Sequence, residues 1–498
     1  MKASILKRLL SASLSILLSL VVSSCKQTDD QKSGVVARII AQDGNVSGAV
    51  AKLYLAPDVT ADASVWSVTS RQTQVGFRYN VAVAFDHRMA NPVLTDTANA
   101  DGEIQFENVV AGNYVIVAEK PGHGWSVPRE VSTTGGDIDL GELRLPNVIT
   151  YGEFDYFIEE NTTWRSGDHH VIYNNLNVEP GVTLTIEPGA VVLLRGNKSL
   201  KIEGNLICRG TPDNFIRFAA ADVINRDPDE WQALKLENPD DIPDIAYVSF
   251  RDGSTALDLE TSGGVVEYCY FFRFSGEGVL ARFGPPIVRR CVFSRVGNGI
   301  RNAASTGILC ENNVFQTCDP FAITLYNTTD GEVYCNWFRD CGGSDTSGSG
   351  TRGVIKLDLV RRTEFHNNFF ETSWFAFQVG SHVDSTTEIH HNEFTRMNTV
   401  VNIGVTEDQR GPSNPKLNYN CFSTIDRFIL DINCNQHNYR NVDATNNWWG
   451  TTSLNQIHER YIHDRQDDGT CPLAEISPIM TSCNEIQQQT GVRAGICQ

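Results

Sequence analysis

The sequence predicts an all-β protein in two parts, a small N-terminal sandwich followed by a long solenoid of stacked coils. Three observations predict it. The 498 residues include 40 Gly but only 4 Met, a composition of turns and strands rather than helical bundles. Short alternating stretches fill residues 35–145: VVARIIA, AVAKLYLA, NVAVAF, EIQFENV and NYVIVAEK. Beyond residue 147 one pattern recurs: an apolar residue, a variable pair, Asn or Cys, one residue, then an aromatic. With 41% hydrophobic and 20% charged residues, the chain is neither wholly disordered nor a multi-span membrane protein. Its 41 basic against 60 acidic residues give a net charge of -19, which excludes nucleic acid as a partner and disfavours polyanions.

The first segment reads as an address. Lys2, Lys7 and Arg8 precede an apolar run over residues 9–22 that ends in Val22-Ser23-Ser24-Cys25. A charged start, a short apolar middle and small residues at the end describe a secretory signal over 1–24. The stretch resembles the lipobox of bacterial lipoproteins, which implies cleavage before Cys25, lipidation of Cys25 and a membrane as partner. Residues 25–34 are polar and read as a tether. Asp29-Asp30 loosely resembles the surface-export signals of Bacteroidetes lipoproteins. The expected location is the cell envelope, lipid-anchored, at the outer membrane or surface of a Gram-negative bacterium.

Residues 35–146 form the first domain. Asp101-Gly102 marks a turn between two of its strands. From Thr97 through Phe106, Val109, Gly112 and Tyr114 to GDIDLGELRL, it resembles the carboxypeptidase regulatory-like, transthyretin-type β-sandwich. That resemblance implies an accessory spacer. HExxH is absent, and His87 and His123 are read as surface or loop residues.

The repeat places aromatics at 271, 293, 315, 338, 370, 394, 422 and 449, in steps of 22, 22, 23, 32, 24, 28 and 27. A period just above twenty suits one coil of a parallel β-helix, since a single coil cannot bury its inner face and must stack about 4.8 Å from the next. The asparagines at 313, 336, 368, 392, 420 and 447 predict a ladder of amide hydrogen bonds, and the aromatics an interior stack. Residues 177–222, with EPGVTLTIEPGAVV and LKIEGNL, and Asn446-Asn447-Trp448-Trp449-Gly450 resemble the opening and closing coils of right-handed parallel β-helix proteins. Residues 150–480 thus resemble the right-handed, pectin-lyase-like superfamily, leaving 481–498 as a tail. That architecture serves many functions and assigns none.

Without Cys25 the 13 cysteines leave 12, an even number for an oxidising compartment. With no CxxC pair, no metal site is assigned. Cys318 and Cys341 lie three residues after successive aromatics, about 4.8 Å apart if the coils stack, so they are candidates for a disulfide, as are Cys269 and Cys291. A ladder of interior thiols fits the second pair almost equally well. Cys471, Cys483 and Cys497 are expected to pin the tail with at least one bridge.

Two insertions, 342–353 and 406–415, interrupt the register and are expected to frame a binding surface. Beside them Glu332, Glu364 and Glu388 lie six residues before the aromatic, and His366 and His390 four before it. Alternation turns these side chains outward and Val333, Phe365 and Ile389 inward. Stacked carboxylates repel, so such a column invites a proton, a cation or a ligand. Glu364 and Glu388 would lie about 5 Å apart, as in retaining glycosidases, and Glu332 and Glu388 about 10 Å apart, as in inverting ones. The imidazoles suit acid–base work. Against this stands a solvated ion-pair strip of the kind expected of Glu267, Arg289 and Glu311. Arg361, with Arg362 beside it, could hold a sugar acid, and Trp337 and Trp374 could stack on sugar rings. Asp240, Asp241 and Asp244 leave Ca2+ open, and no other cofactor is implied. The expected function is recognition of an extended carbohydrate. A polysaccharide lyase or glycoside hydrolase using the Glu and His columns is the first alternative, and an adhesive or structural stalk the second.

Overall fold

The computed structural model describes residues 32–56, 75–77, 79, 81–152, 154–224, 227–237, 239, 241–260, 263–343, 352–404, 412–433 and 440–495. The expected signal 1–24, the lipidation residue Cys25, most of the tether, Asp240, Cys497 and the cores of both insertions (344–351 and 405–411) lie outside them. The chain divides into two compact units, residues 1–57 with 91–145, and residues 58–90 with 146–498.

In the first unit, strand Lys32–Ala41 pairs antiparallel with Glu103–Val110 and parallel with Ile138–Leu145. A second sheet orders Leu94–Thr97, Val50–Leu55, Gly112–Glu119 and Arg129–Thr133. Alternation drives this layout: Val35, Ala37 and Ile39 enter one core with Leu53, Phe106, Ile116 and Leu143, and the residues between them are less buried. Asp101-Gly102 makes the expected turn. Gly102 has φ +83°, and a Cβ there would lie 2.2 Å from the Ile39 carbonyl oxygen.

Residues 58–90, between two strands of the first unit, cluster with the second unit. Lys32 and Ser33, expected in the tether, already lie in a strand.

The second unit is built of parallel sheets of eleven and twenty strands. Successive coils pair in strict order: Glu332–Tyr334 with Glu364–His366, then Glu388–His390, then Lys416–Asn418. The long strands do likewise, Phe369–Val379 with Glu393–Ile403, then Cys421–Ile432. Among the described strands of this unit, only the short pair Val223–Ile224 and Asp227–Pro228 is antiparallel.

Corners define each coil. Tyr268, Arg290, Asn312, Cys335, Asn367, His391 and Tyr419, each three residues before an aromatic, have φ of 53–58°. Two residues after the aromatic a second set, including Arg273, Thr317 and Arg396, has the same left-handed backbone. For a residue with a Cβ this conformation costs about 1–2 kcal/mol, and the interior hydrogen bonds beside it hold it in place. The backbone N–H and side-chain amide of Asn313 both donate to Oδ1 of Asn336, at 2.9 and 3.0 Å. The same double bond recurs from Asn336 to Asn368, Asn368 to Asn392, Asn392 to Asn420 and Asn420 to Asn447. Every member from Asn313 to Asn447 is fully buried, so each donor taken from water is repaid inside the coil.

The aromatic column stacks as expected, with centroids 4.5 Å apart for Phe271–Phe293, 4.7 Å for Phe293–Phe315 and 4.8 Å for Phe338–Phe370. It extends further toward the N-terminus than the repeat indicates, through Phe250 and Phe218. At the C-terminal end, helix Leu454–Tyr461, capped by Ser453, brings Ile457 into the core.

The cysteines correct one expectation. Cys269, Cys291, Cys318 and Cys341 are free, fully buried thiols rather than disulfides. They face the coil interior, where their S–H groups reach carbonyls: Cys291 to Val266 at 3.5 Å and Cys341 to Phe315 at 3.4 Å. Burial pushes the Cys269 and Cys318 thiols up, so they stay protonated as small apolar side chains. The tail bridge exists: Cys483 is joined to Cys421 across 62 residues, and Cys335 and Cys471 are also disulfide-bonded.

The segment that holds NVAVAF, expected as a strand of the first domain, instead covers one outward face of this unit, with Val81–Ala84 a helical turn. Val75, Phe77 and Val83 pack on Tyr270, Val292, Val314, Trp337 and Phe369, all in one outward column. His87, expected at the surface, is buried in this strap. The C-terminal segment lies on the same ridge further along. Gly76 N–H donates to the corner carbonyl of Asn312, and Gly495 N–H to that of His391, at 2.6 and 2.7 Å. Both glycines have positive φ (65° and 70°), and a Cβ would press on Val314 in one case and Glu393 in the other.

Candidate functional site

The eleven-stranded sheet turns one face inward and one outward. Val333, Phe365 and Ile389 are fully buried, so Glu332, Glu364, Glu388, Tyr334, His366 and His390 share the outward face. Register sets Glu332, Glu364 and Glu388 in one row and Tyr334, His366 and His390 in the next.

The carboxylates do not meet one another; Glu332 and Glu364 reach diagonally to an imidazole of the next coil, and Glu388 reaches straight across to its register partner Lys416. Glu332 Oε1 lies 3.0 Å from His366 Nε2, Glu364 Oε2 lies 3.4 Å from His390 Nε2, and Glu388 Oε1 accepts from Lys416 Nζ at 2.7 Å. The carboxylates are well exposed, with side chains 48%, 55% and 38% accessible, so these pairs are screened and individually weak. The rings are more enclosed. Tyr334 stacks on His366 at 5.0 Å and His366 on His390 at 5.1 Å, with planes within 5°. Tyr334 also donates to Glu311, and burial with that carboxylate pushes its phenol up.

Burial, then the neighbouring His366, lowers the His390 imidazole below its usual range, while Glu364 opposes the shift. His391, at the corner, falls to about 4 by burial, then by His390 and His366. The Nδ1 atoms of His390 and His391 lie 2.9 Å apart, so one donates and the other accepts. The result is a flat strip of paired charges and ring edges. It offers donors and acceptors at each coil, and no carboxyl group enclosed away from solvent.

Upstream on the same sheet, Arg209 and Arg289 both hold Glu267, extending the ion-pair ladder. A cleft of about 270 Å³ opens there between Ile207 and Arg209 on one side and Ile242 on the other. Asp241 is exposed, and Asp244 is paired with Arg209. A carboxylate neutralised by a guanidinium is a poor calcium ligand. Among the described residues, no group of three His, Cys, Asp or Glu converges as a metal site.

Of the aromatic platforms, Trp337 is excluded. It is buried in the strap ridge, and its Nε1 donates to Glu371 Oε2 at 3.2 Å. Trp374 is half-buried on the long strand Phe369–Val379, in the other sheet from the Glu and His rows. Arg361 is exposed, with Asp384 3.8 Å away, and leads into strand Glu364–His366. Arg362 is committed to Asp330 through bonds of 2.6 and 2.8 Å, which hold that carboxyl at about 2. Two residues of the strip went unread in sequence, Tyr334 and His391. Tyr334 was detectable, since it too lies four before an aromatic.

No protein-family model matches this chain, and no curated protein matches it.

Proposed function

We propose that the protein is a lipid-anchored envelope protein whose solenoid, a right-handed parallel β-helix of the pectin-lyase-like kind, recognises an extended carbohydrate on the strip from Glu332 to Lys416. In this reading Cys25 carries the lipid and the membrane is the first partner. The N-terminal unit is a carboxypeptidase regulatory-like sandwich acting as a spacer.

The observation that carries the reading is the periodic outward array, Tyr334, His366 and His390 stacked beside Glu332, Glu364 and Glu388. Such an array repeats every coil, about 4.8 Å, and suits a polymer whose hydroxyl groups recur at a comparable step. Exposed donors and acceptors bind hydroxyls well when they are already oriented by neighbours. Arg361 and the cleft near Ile207 lie where a long chain could extend.

The hydrolase or lyase reading has less support. Each carboxylate is solvent-exposed and already paired, whereas a catalytic acid is held protonated by an enclosed environment. A stalk needs no such array.

The test is binding of the full chain to a panel of neutral, acidic and N-acetylated polysaccharides, with reducing ends assayed in parallel. Binding that is lost in the double variant His366→Ala, His390→Ala supports recognition. New reducing ends that vanish in Glu364→Gln support the enzyme. Neither signal with any polymer leaves the stalk.

A further inference from the structure

One outward column of the twenty-stranded sheet runs through Lys356, Gln378, Asn402, Asp431 and His463, each in register with the next. Lys356, Asp431 and His463 are half-buried, as outward side chains of a sheet often are. Gln378 and Asn402 are only 1% and 6% exposed, although alternation gives the interior to their neighbours Val379 and Ile403. The returning foot of the first insertion, Arg352-Gly353, lies against Gln378. A Cβ on Gly353 would come 2.9 Å from Gln378 Cγ, and the Gln378 amide nitrogen donates to the Arg352 carbonyl at 3.0 Å. Arg352 Nη1 donates to Asp319 at 3.1 Å and holds the foot in place. The second insertion leaves its coil at Gly404, two residues after Asn402. The two amides therefore stand between the two insertions that the sequence marks out as the frame of a binding surface.

Both amides lack polar partners. Gln378 Oε1 is enclosed and accepts from no donor, and the Asn402 side chain makes no hydrogen bond among the described residues. A buried acceptor left unmet is costly, and native folds retain few of them. The chemistry around it suits a hydroxylated occupant. Gln378 Oε1 only accepts, so whatever meets it must donate. Asn402 offers N–H and C=O together. On one side Lys356 donates. On the other Asp431 accepts, its Oδ1 already 2.9 Å from His463 Nδ1. A bare anion would face the lone Gln378 oxygen, and a metal ion would meet the Lys356 ammonium one coil away. A hydroxyl group, which donates and accepts without charge, meets neither objection. Two residues beyond each amide stands a glycine, Gly380 and Gly404, so neither has a same-face neighbour with a side chain in that direction.

We propose that Gln378 and Asn402 form a seat for a single sugar unit: a ring hydroxyl donates to Gln378 Oε1, and Asn402, Lys356 and Asp431 make the remaining contacts. The unit is a free saccharide or the end of a chain. The seat lies in the other sheet from the Glu and His strip, and it rests on the proposed function only for the class of ligand. Asn402 satisfies nothing inside the protein, so removing its amide breaks no bond of the empty molecule. What it removes is recognition, the pattern of a group kept for a ligand rather than for the fold.

The experiment is ligand-observed nuclear magnetic resonance on the full chain in EDTA, with thermal melts in parallel. The probes are free glucose, galactose, mannose and N-acetylglucosamine, and the polysaccharides of the panel above. At least one probe is expected to bind, and Asn402→Leu to weaken that binding by about tenfold or more at an unchanged or higher melting temperature. Where leucine disturbs the packing, Lys356→Gln on the half-buried rim gives the deciding result: weaker binding at an unchanged melting temperature supports the seat, and unaltered binding overturns it. Binding of a free sugar makes the ligand a free saccharide, and binding of polymers alone makes it a chain end. Binding that Asn402→Leu keeps and the double variant His366→Ala, His390→Ala loses overturns the seat and leaves the strip standing. Binding lost in Asn402→Leu and kept in the double variant supports the seat and removes the strip. No binding by any probe means that water alone meets the Gln378 oxygen, which overturns the proposal.

Discussion

The backbone N–H and the side-chain amide of Asn336 both donate to one oxygen, Oδ1 of Asn368, at 2.9 and 3.0 Å. Asn368 in turn gives its amide to the Val333 carbonyl at 2.8 Å. Asn368→Ala strands the Asn336 backbone N–H and the Val333 carbonyl in a dry interior. At about 1–3 kcal/mol for each stranded group, the expected loss is about 2–6 kcal/mol, read as a lower urea midpoint at unchanged slope. A loss below about 1 kcal/mol would mean that water reaches the corner.

Glycine faces a ring in the coil interior. A Cβ at Gly278 would lie 2.8 Å from the Phe293 ring and 2.7 Å from the Gly299 carbonyl oxygen. Gly278→Ala is expected to destabilise by about 1–3 kcal/mol. Adding Phe293→Leu removes the ring contact but not the carbonyl contact, so the double variant should be more stable than the sum of the singles predicts. Strict additivity in thermal melts would refute that coupling.

The Cys421–Cys483 bridge closes a 62-residue separation and anchors helix Cys483–Thr490. Chain entropy sets its contribution at about 4 kcal/mol. Cys483→Ser should lower the melting temperature and make residues 483–495 protease-sensitive, with the coils from Phe218 to Phe394 still folded.

His390 should titrate below the ordinary histidine range by nuclear magnetic resonance. His390 is depressed by burial and then by His366, so its neutral form is the one the fold favours. Its contribution to stability is complete above the ordinary value of 6.5 and is lost as pH falls below it. His366→Ala removes the repulsion and should move the His390 midpoint upward. A midpoint that stays or falls would make burial the whole cause.

The interior was legible in sequence because it repeats. One asparagine and one aromatic per coil mark the register, and period-two alternation then assigns Glu332, Glu364, Glu388, His366 and His390 to one outward row or the next. Phe218 and Phe250 escaped because Ile216 and Val248 stand where the pattern has Asn or Cys. The diagonal pairing of Glu332 with His366 was not legible, since side-chain rotamers decide it rather than spacing. Trp337 and His87 were misread for a common reason. Each has a surface pattern in its own segment, and both are enclosed only because a segment far away in sequence lies across the coils. Local alternation carries no trace of such a contact.

That distance has a consequence for the order of assembly. Val75–Met89 leaves the ribosome well before Arg217, Ser249 and Arg251, and before the Asn312 corner that receives Gly76. Until those coils exist, Asp86, Arg88 and the apolar Phe77 have no seat, so the N-terminal third of the chain must wait for the middle. The first unit's strands flank this waiting loop on both sides. Growth of the parallel sheets as far as Asn312 is therefore what fastens a segment made near the start of synthesis.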